Sequence, residues 1–186
     1  NINLDNYEIS KVLDPNFILI DLIKTELLFN NNINLMASIT TVSNNKKYIF
    51  QKKIVNFNIF GGKINLNKTR LVNNKIGSVE LQNSNLFFEE DKLIFNTDIM
   101  VDIVDLDELF SILQTNKRFR KKIKNILINL DYNFLSNQFK FNKIKLDGNE
   151  ASDQFLNIID AFSDNEFNNL IKSRRLLNKL FNIYEG

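Results

Sequence analysis

The 186-residue chain contains neither histidine nor cysteine. Those two absences remove His-based triads, His or Cys metal sites, disulfides and thiol nucleophiles together. A chain without Cys fits a reducing or an oxidising compartment equally well. Only five glycines are present, and they form neither a Gly-x-Gly-x-x-Gly turn nor a Walker-type loop, so phosphate cradling by a glycine-rich turn has no support. A net charge of +2 gives the whole molecule no strong pull toward nucleic acid or an anionic membrane. Long apolar runs are lacking too. Residues 17–28 come closest, but Asp21, Lys24 and Glu26 interrupt them, whereas a spanning helix needs about 20 mostly apolar residues.

What is present is ordinary for a folded domain: 44% hydrophobic and 25% charged residues, in a length that suits a single module with a real core. Asn is frequent and Phe occurs 17 times, a bias that AT-rich codons generate without selection on the protein. The chain opens at Asn1 with no basic n-region, apolar h-region or cleavage site, so an upstream part is expected and the module reads as the C-terminal fragment of a longer protein.

Three stretches differ in pattern. Residues 1–33 show no clear period up to Leu13. Asp14-Pro15 then offers an N-cap with proline at the first helical position, ahead of an apolar run to Phe29 that reads as a buried helix or a buried strand pair. Residues 34–147 alternate apolar and polar residues in short segments, the signature of a β-meander. Strands are expected over 34–42, 48–60, 63–72, 78–88, 93–103, 126–134 and 138–146. Turns are expected at Asn44-Asn45, Gly61-Gly62, Asn73-Asn74, Glu90-Asp91 and Ser136-Asn137. A short amphipathic helix interrupts this pattern at 105–113, with Asp105, Asp107 and Glu108 where the helix dipole favours acids.

From 151 to 184 the period is helical. Phe155, Ile158, Ile159 and Phe162 make one stripe, and Ser163 with Glu166 fits a capping box for a second helix. That helix is expected to bury Phe167, Leu170, Ile171, Leu177, Phe181 and Tyr184. Arg174 falls on the same face and must snorkel outward or meet a carboxylate. The fold class is therefore mainly β (α+β): an antiparallel meander curled into a groove, with an inserted helix and a helical tail.

For catalysis only carboxylates remain. Asp98 and Asp102 share a strand face, and Glu89, Glu90 and Asp91 sit at a turn. A glycosidase pair needs about 5 to 9 Å across a cleft, a spacing that strand neighbours meet by accident. The chain reads as non-enzymatic, with no cofactor and no metal implied. The basic run Lys117, Arg118, Arg120, Lys121, Lys122 and Lys124 is the strongest local charge feature. It reads first as a solvated connector, and second as a patch for anionic lipid head groups at about 1 kcal/mol per residue. The basic face of the last helix, Lys172, Arg175 and Lys179, reads the same way.

A meander with few helices must close, pair with another sheet, or leave an apolar groove. Phe95, Ile99, Val101, Ile128, Leu130, Phe139 and Phe141 are the residues expected to line such a groove. An acyl chain suits it, since about 0.8 kcal/mol per buried methylene gives an upper bound on the order of 12 kcal/mol for ~15 methylenes.

The segments Gly62-Lys63-Ile64-Asn65-Leu66, Lys75-Ile76-Gly77-Ser78-Val79 and Asn85-Leu86-Phe87-Phe88, continuing through Lys92-Leu93-Ile94-Phe95-Asn96, resemble strand-turn-strand units of AsmA-like proteins, which group with the TamB-type envelope proteins of Gram-negative bacteria. The likeness extends through the 105–113 helix, the basic run and residues 126–146. It implies an inner-membrane anchor upstream, a periplasmic sheet curled into a groove, and a role in moving phospholipid toward the outer membrane or in outer-membrane assembly, with other envelope proteins as partners and no catalytic residues. The alternative is a structural or protein-interaction domain whose sheet edge pairs with another chain.

Overall fold

The computed structural model describes residues 2–5, 25, 27–43, 49–136, 138–161 and 170–184. The expected Asp14-Pro15 helix start, the Asn44-Asn45 turn and the Ser163 capping box lie outside the described residues, as do Asn137, Phe162 and Phe167.

Ten strands form one sheet: β1 (Ile2–Asp5), β2 (Leu35–Val42), β3 (Lys52–Phe60), β4 (Lys63–Asn65), β5 (Arg70–Asn73), β6 (Gly77–Glu89), β7 (Lys92–Ile103), β8 (Asn125–Asn133), β9 (Gln138–Leu146) and β10 (Asn149–Glu150). The fold is mainly β, with three α-helices among the described residues, the class the alternation predicts. Strands β7 and β8 are antiparallel neighbours, with Ile99 opposite Ile128 and Val101 opposite Ile126. Among the described strands only β1, in a stretch without a sequence period, pairs in parallel, alongside β2.

Two of the hairpin turns are built by residue chemistry. Glu90 and Asp91 adopt φ of 47° and 59°, the left-handed pair that a two-residue hairpin needs to follow the strand twist. At the β5–β6 turn the Asn73 side-chain oxygen accepts from the backbone N–H groups of Lys75 and Ile76, both at 2.9 Å.

The expected continuous strand over 63–72 is instead broken. Strands β4 and β5 share one position between β3 and β6, and residues 66–69 bulge between them with Lys68 at φ 64°. Polar side chains replace the lost ladder bonds. Thr69 Oγ1 accepts from Asn56 N at 3.1 Å, Asn56 Nδ2 donates to the Lys68 carbonyl at 2.7 Å, and Asn67 Oδ1 accepts from Ser84 N at 2.5 Å. On the other side of β6 a matching irregularity lies between Gln82 and Asn85, with Asn83 at φ 49°. An alternation pattern cannot register a bulge whose side chains keep the apolar and polar sides in order.

Three helices and two short 3₁₀ turns complete the described chain. Helix α1 (Leu106–Leu113) starts at Asp105, whose side chain accepts from Glu108 N at 3.0 Å. Helix α2 (Asp153–Asp160) starts at Ser152, which accepts from Phe155 N at 3.3 Å. Helix α3 (Leu170–Ile183) runs nearly to the C-terminus. The 3₁₀ turns are Leu27–Phe29 and Lys117–Phe119.

Three buried clusters sit on one sheet face. Ile59, Ile64, Leu86 and Leu93 form the first, under Leu28, Phe29 and Ile33. Ile144 and Leu146 of β9 form the second with Phe155 and Ile159 of α2 and Leu176 and Leu180 of α3. Phe110 and Leu113 of α1 join Ile123 and Phe181 in the third.

The buried face of α3 keeps the expected Phe181 and corrects the expectation at Ile171 and Leu177. Leu176, Leu180 and Phe181 are buried, whereas Ile171 is 61% exposed and Leu177 37%. The sequence offers more than one apolar stripe on this helix, and the stripe chosen is the one that meets α2 and α1 at once.

Candidate functional site

Alternation sorts β7 into two chemically distinct sides. Leu93, Phe95, Thr97, Ile99, Val101 and Ile103 face the clusters; Lys92, Asn96, Asp98 and Asp102 face away. On the polar side the carboxylates are tied up across strands. Asp98 accepts from Asn83 and Asn129, both at 2.7 Å, and Asp131 accepts from Asn96 at 2.6 Å and Asn142 at 2.9 Å. Each carboxyl oxygen thus already holds an amide, an arrangement that stitches strands rather than transferring protons. Among the described residues no group of three or more acids converges as a metal site.

On the apolar side the seven residues expected to line a groove do not form one site. Leu130 is buried at 6% exposure. Phe95 packs on the first cluster, and Ile128 and Phe141 pack on the second. Phe139 stacks on Tyr132 with ring centroids 4.3 Å apart and lies 6.4 Å from Phe141, making an aromatic strip near the β9 edge.

Ile99 and Val101 are half-buried and belong to none of the three clusters. The register carries their rows onward: Val101 pairs with Val79 and Val79 with Leu71, while Ile99 pairs with Leu81. Val55 and Ile39 pair on the neighbouring strands. Leu71, Val79, Leu81, Val55 and Ile39 are half-buried and outside the clusters as well. Together these half-buried side chains make an aliphatic strip on the middle of the sheet, called the trough below. The sequence contained the alternation for every strand involved, but the cross-strand register that lines them up is a tertiary fact.

The basic run is divided by the fold. Arg120 is structural: its Nε donates to the Thr115 carbonyl at 3.2 Å, its guanidinium pairs with Asp107 at 3.5 Å, and it lies over the Phe110 ring. Arg118 stacks on Phe119, 4.4 Å from the ring centre. Among the described residues Lys117, Lys121 and Lys122 have no carboxylate partner within 4.0 Å.

At the end of the helical tail, Tyr184 lies beside Asp147. Burial pushes the Tyr184 phenol above its ordinary pKa, and the nearby Asp147 carboxylate adds to the effect. Asp147 also accepts from the backbone of Lys124 at 2.8 Å and Asn125 at 2.9 Å. It is an anchor point, not a reactive pair.

Comparison with family models, with curated proteins and with solved structures finds no match for this chain. Among the described residues no helix is long and apolar enough to cross a membrane.

Proposed function

We propose that this chain is a non-enzymatic, AsmA-like envelope module that holds the acyl chain of a phospholipid on the apolar face of its sheet, on the periplasmic side of the inner membrane of a Gram-negative bacterium. The observation that supports this reading is the trough. Ile99 and Val101, with Leu71, Val79 and Leu81, stay half-buried while the clusters on either side are closed. An ordinary core buries such residues almost fully, and an exposed aliphatic strip gains free energy from any chain laid along it. Strand addition at the sheet edge is the competing reading, and the β9 edge weighs against it. A bulge leaves Asn142 outside the β8–β9 register, and Lys140 and Lys143 stand on the same strand. Both features blunt an edge against added strands.

The test is lipid carried through purification, measured by mass spectrometry, for the natural chain and for Ile99→Asp. An open trough keeps the new carboxylate hydrated, so the variant is expected to melt within a few degrees of the parent and to lose most of its lipid. A closed core would leave an unpaired buried charge and unfold a domain of marginal stability. Unfolding of the variant, or a parent that carries no lipid, would overturn the reading.

A further inference from the structure

The contact between α1 and α3 creates a second site, made of side chains that the sequence treats as unrelated. Helix α1 ends at Gln114, whose φ of 55° turns the chain away. There Asn178 of α3 donates to the Leu113 carbonyl at 3.2 Å, and its side-chain oxygen accepts from the Thr115 hydroxyl. These bonds fix α3 against the end of α1. Arg174 and Arg175, one turn before Asn178, are thereby set on the same side of the helix. They line a groove of about 390 Å³ with Leu113, Gln114, Ile171 and Asn178.

No carboxylate lines this groove. Among the described residues neither Arg174 nor Arg175 makes an ion pair, a hydrogen bond or a ring contact. A plain structural role would be to satisfy the C-terminal carbonyls of α1. Three of the last four carbonyls already have partners: Phe110 and Ser111 accept from the Gln114 N–H, Phe110 from the Thr115 N–H as well, and Leu113 from Asn178. The same helix packs beside the Lys117–Phe119 turn, so the exposed cations Lys117 and Arg118 add to the positive charge on this side of the protein.

We propose that the α1–α3 groove binds a phosphate monoester. Two guanidinium forks with two carboxamides supply more donors than a carboxylate has oxygens to accept, whereas a phosphate monoester presents three acceptor oxygens and close to two charges. The exposed Ile171 and the buried Leu113 border the groove with apolar surface for the organic part of the ligand. This site is independent of the trough.

The full chain is tested by calorimetry with inorganic phosphate and by sedimentation with vesicles of phosphatidylcholine, alone or carrying phosphatidic acid. The natural chain is expected to bind phosphate, and the variant carrying Arg174→Gln and Arg175→Gln to bind it at least tenfold more weakly. Phosphate that displaces the protein from phosphatidic acid vesicles identifies a lipid head group as the source; binding of phosphate without vesicle binding identifies a soluble ester. Arg175→Gln alone, at an exposed position, tests the site if the double variant does not fold, and is expected to weaken binding at an unchanged melting temperature. Ile99→Asp is expected to leave phosphate affinity within twofold, which separates this site from the trough. A natural chain that binds neither probe, or arginine variants that bind like the parent, would overturn the proposal.

Discussion

Tyr184, the last described residue, lies beside Asp147, in the turn between β9 and β10, and the carboxylate helps to hold its phenol above the ordinary pKa. Asp147 is held in turn by the backbone N–H groups of Lys124 and Asn125, where β8 begins. One carboxylate therefore joins the entry of β8, the exit of β9 and the end of α3.

This environment predicts an alkaline transition. Burial first, and then Asp147, raises the Tyr184 pKa above its unfolded value of about 10. The folded state therefore holds the phenol proton more tightly than the unfolded state does. The resulting stability is fully present below pH ~10 and is lost as pH rises through the folded pKa. Tyr184→Phe is expected to flatten the decline above pH ~10. Urea titrations of both proteins at several pH values check this.

Ser84 and Thr97 are fully buried and share a hydrogen bond between β6 and β7. Ser84 also donates to the Gln82 carbonyl at 3.1 Å, so it is Ser84→Ala that strands a hydroxyl, that of Thr97, at an expected cost of about 1–2 kcal/mol. Adding Thr97→Val to that variant is expected to recover part of the loss, because no buried hydroxyl then remains unpaired. A double-mutant cycle by chemical denaturation measures the coupling.

Closed and open parts of the apolar face should respond differently to truncation. Leu93 is fully buried in the first cluster, so Leu93→Ala is expected to cost about 2–5 kcal/mol. Ile99, half-buried in the trough, is expected to lose about 1–2 kcal/mol on change to Ala. Equal losses at the two positions would mean that the trough is packed as tightly as the core.

Gly77 has φ of 141°, and a Cβ placed there would collide with the Asp102 carbonyl oxygen across the β6–β7 ladder. Gly77→Ala is expected to force the two strands apart and to cost several kcal/mol. Gly61, at φ 57° in an open turn, is expected to lose only about 1 kcal/mol on the same change. Melting temperatures of the two variants distinguish collision from backbone conformation alone.

The strands of the meander were legible because a half-buried strand forces a period of two onto its sequence. Leu93, Phe95, Thr97, Ile99 and Val101 show that period over most of β7. Helix α1 was legible through Asp105 and its apolar spacing. The break between β4 and β5 was not, since Asn67 and Thr69 satisfy a bulge with side chains that an ordinary strand would also accept. The candidate groove was legible only as a list of apolar residues. Register then sent Phe139 and Phe141 to the β9 edge and brought Leu71, Val79 and Leu81 beside Ile99 and Val101.

The sequence by itself determined the mainly β class, the short helix after β7 and the absence of histidine and thiol chemistry, because composition and local period act within a few residues of the chain. Tertiary structure decided which stripe of α3 is buried. It also decided that Arg174 meets no carboxylate and that Asn178 brings it to the end of α1. A helix with several apolar stripes chooses among them by the free energy of packing against whatever the rest of the chain presents, and no local pattern contains that term.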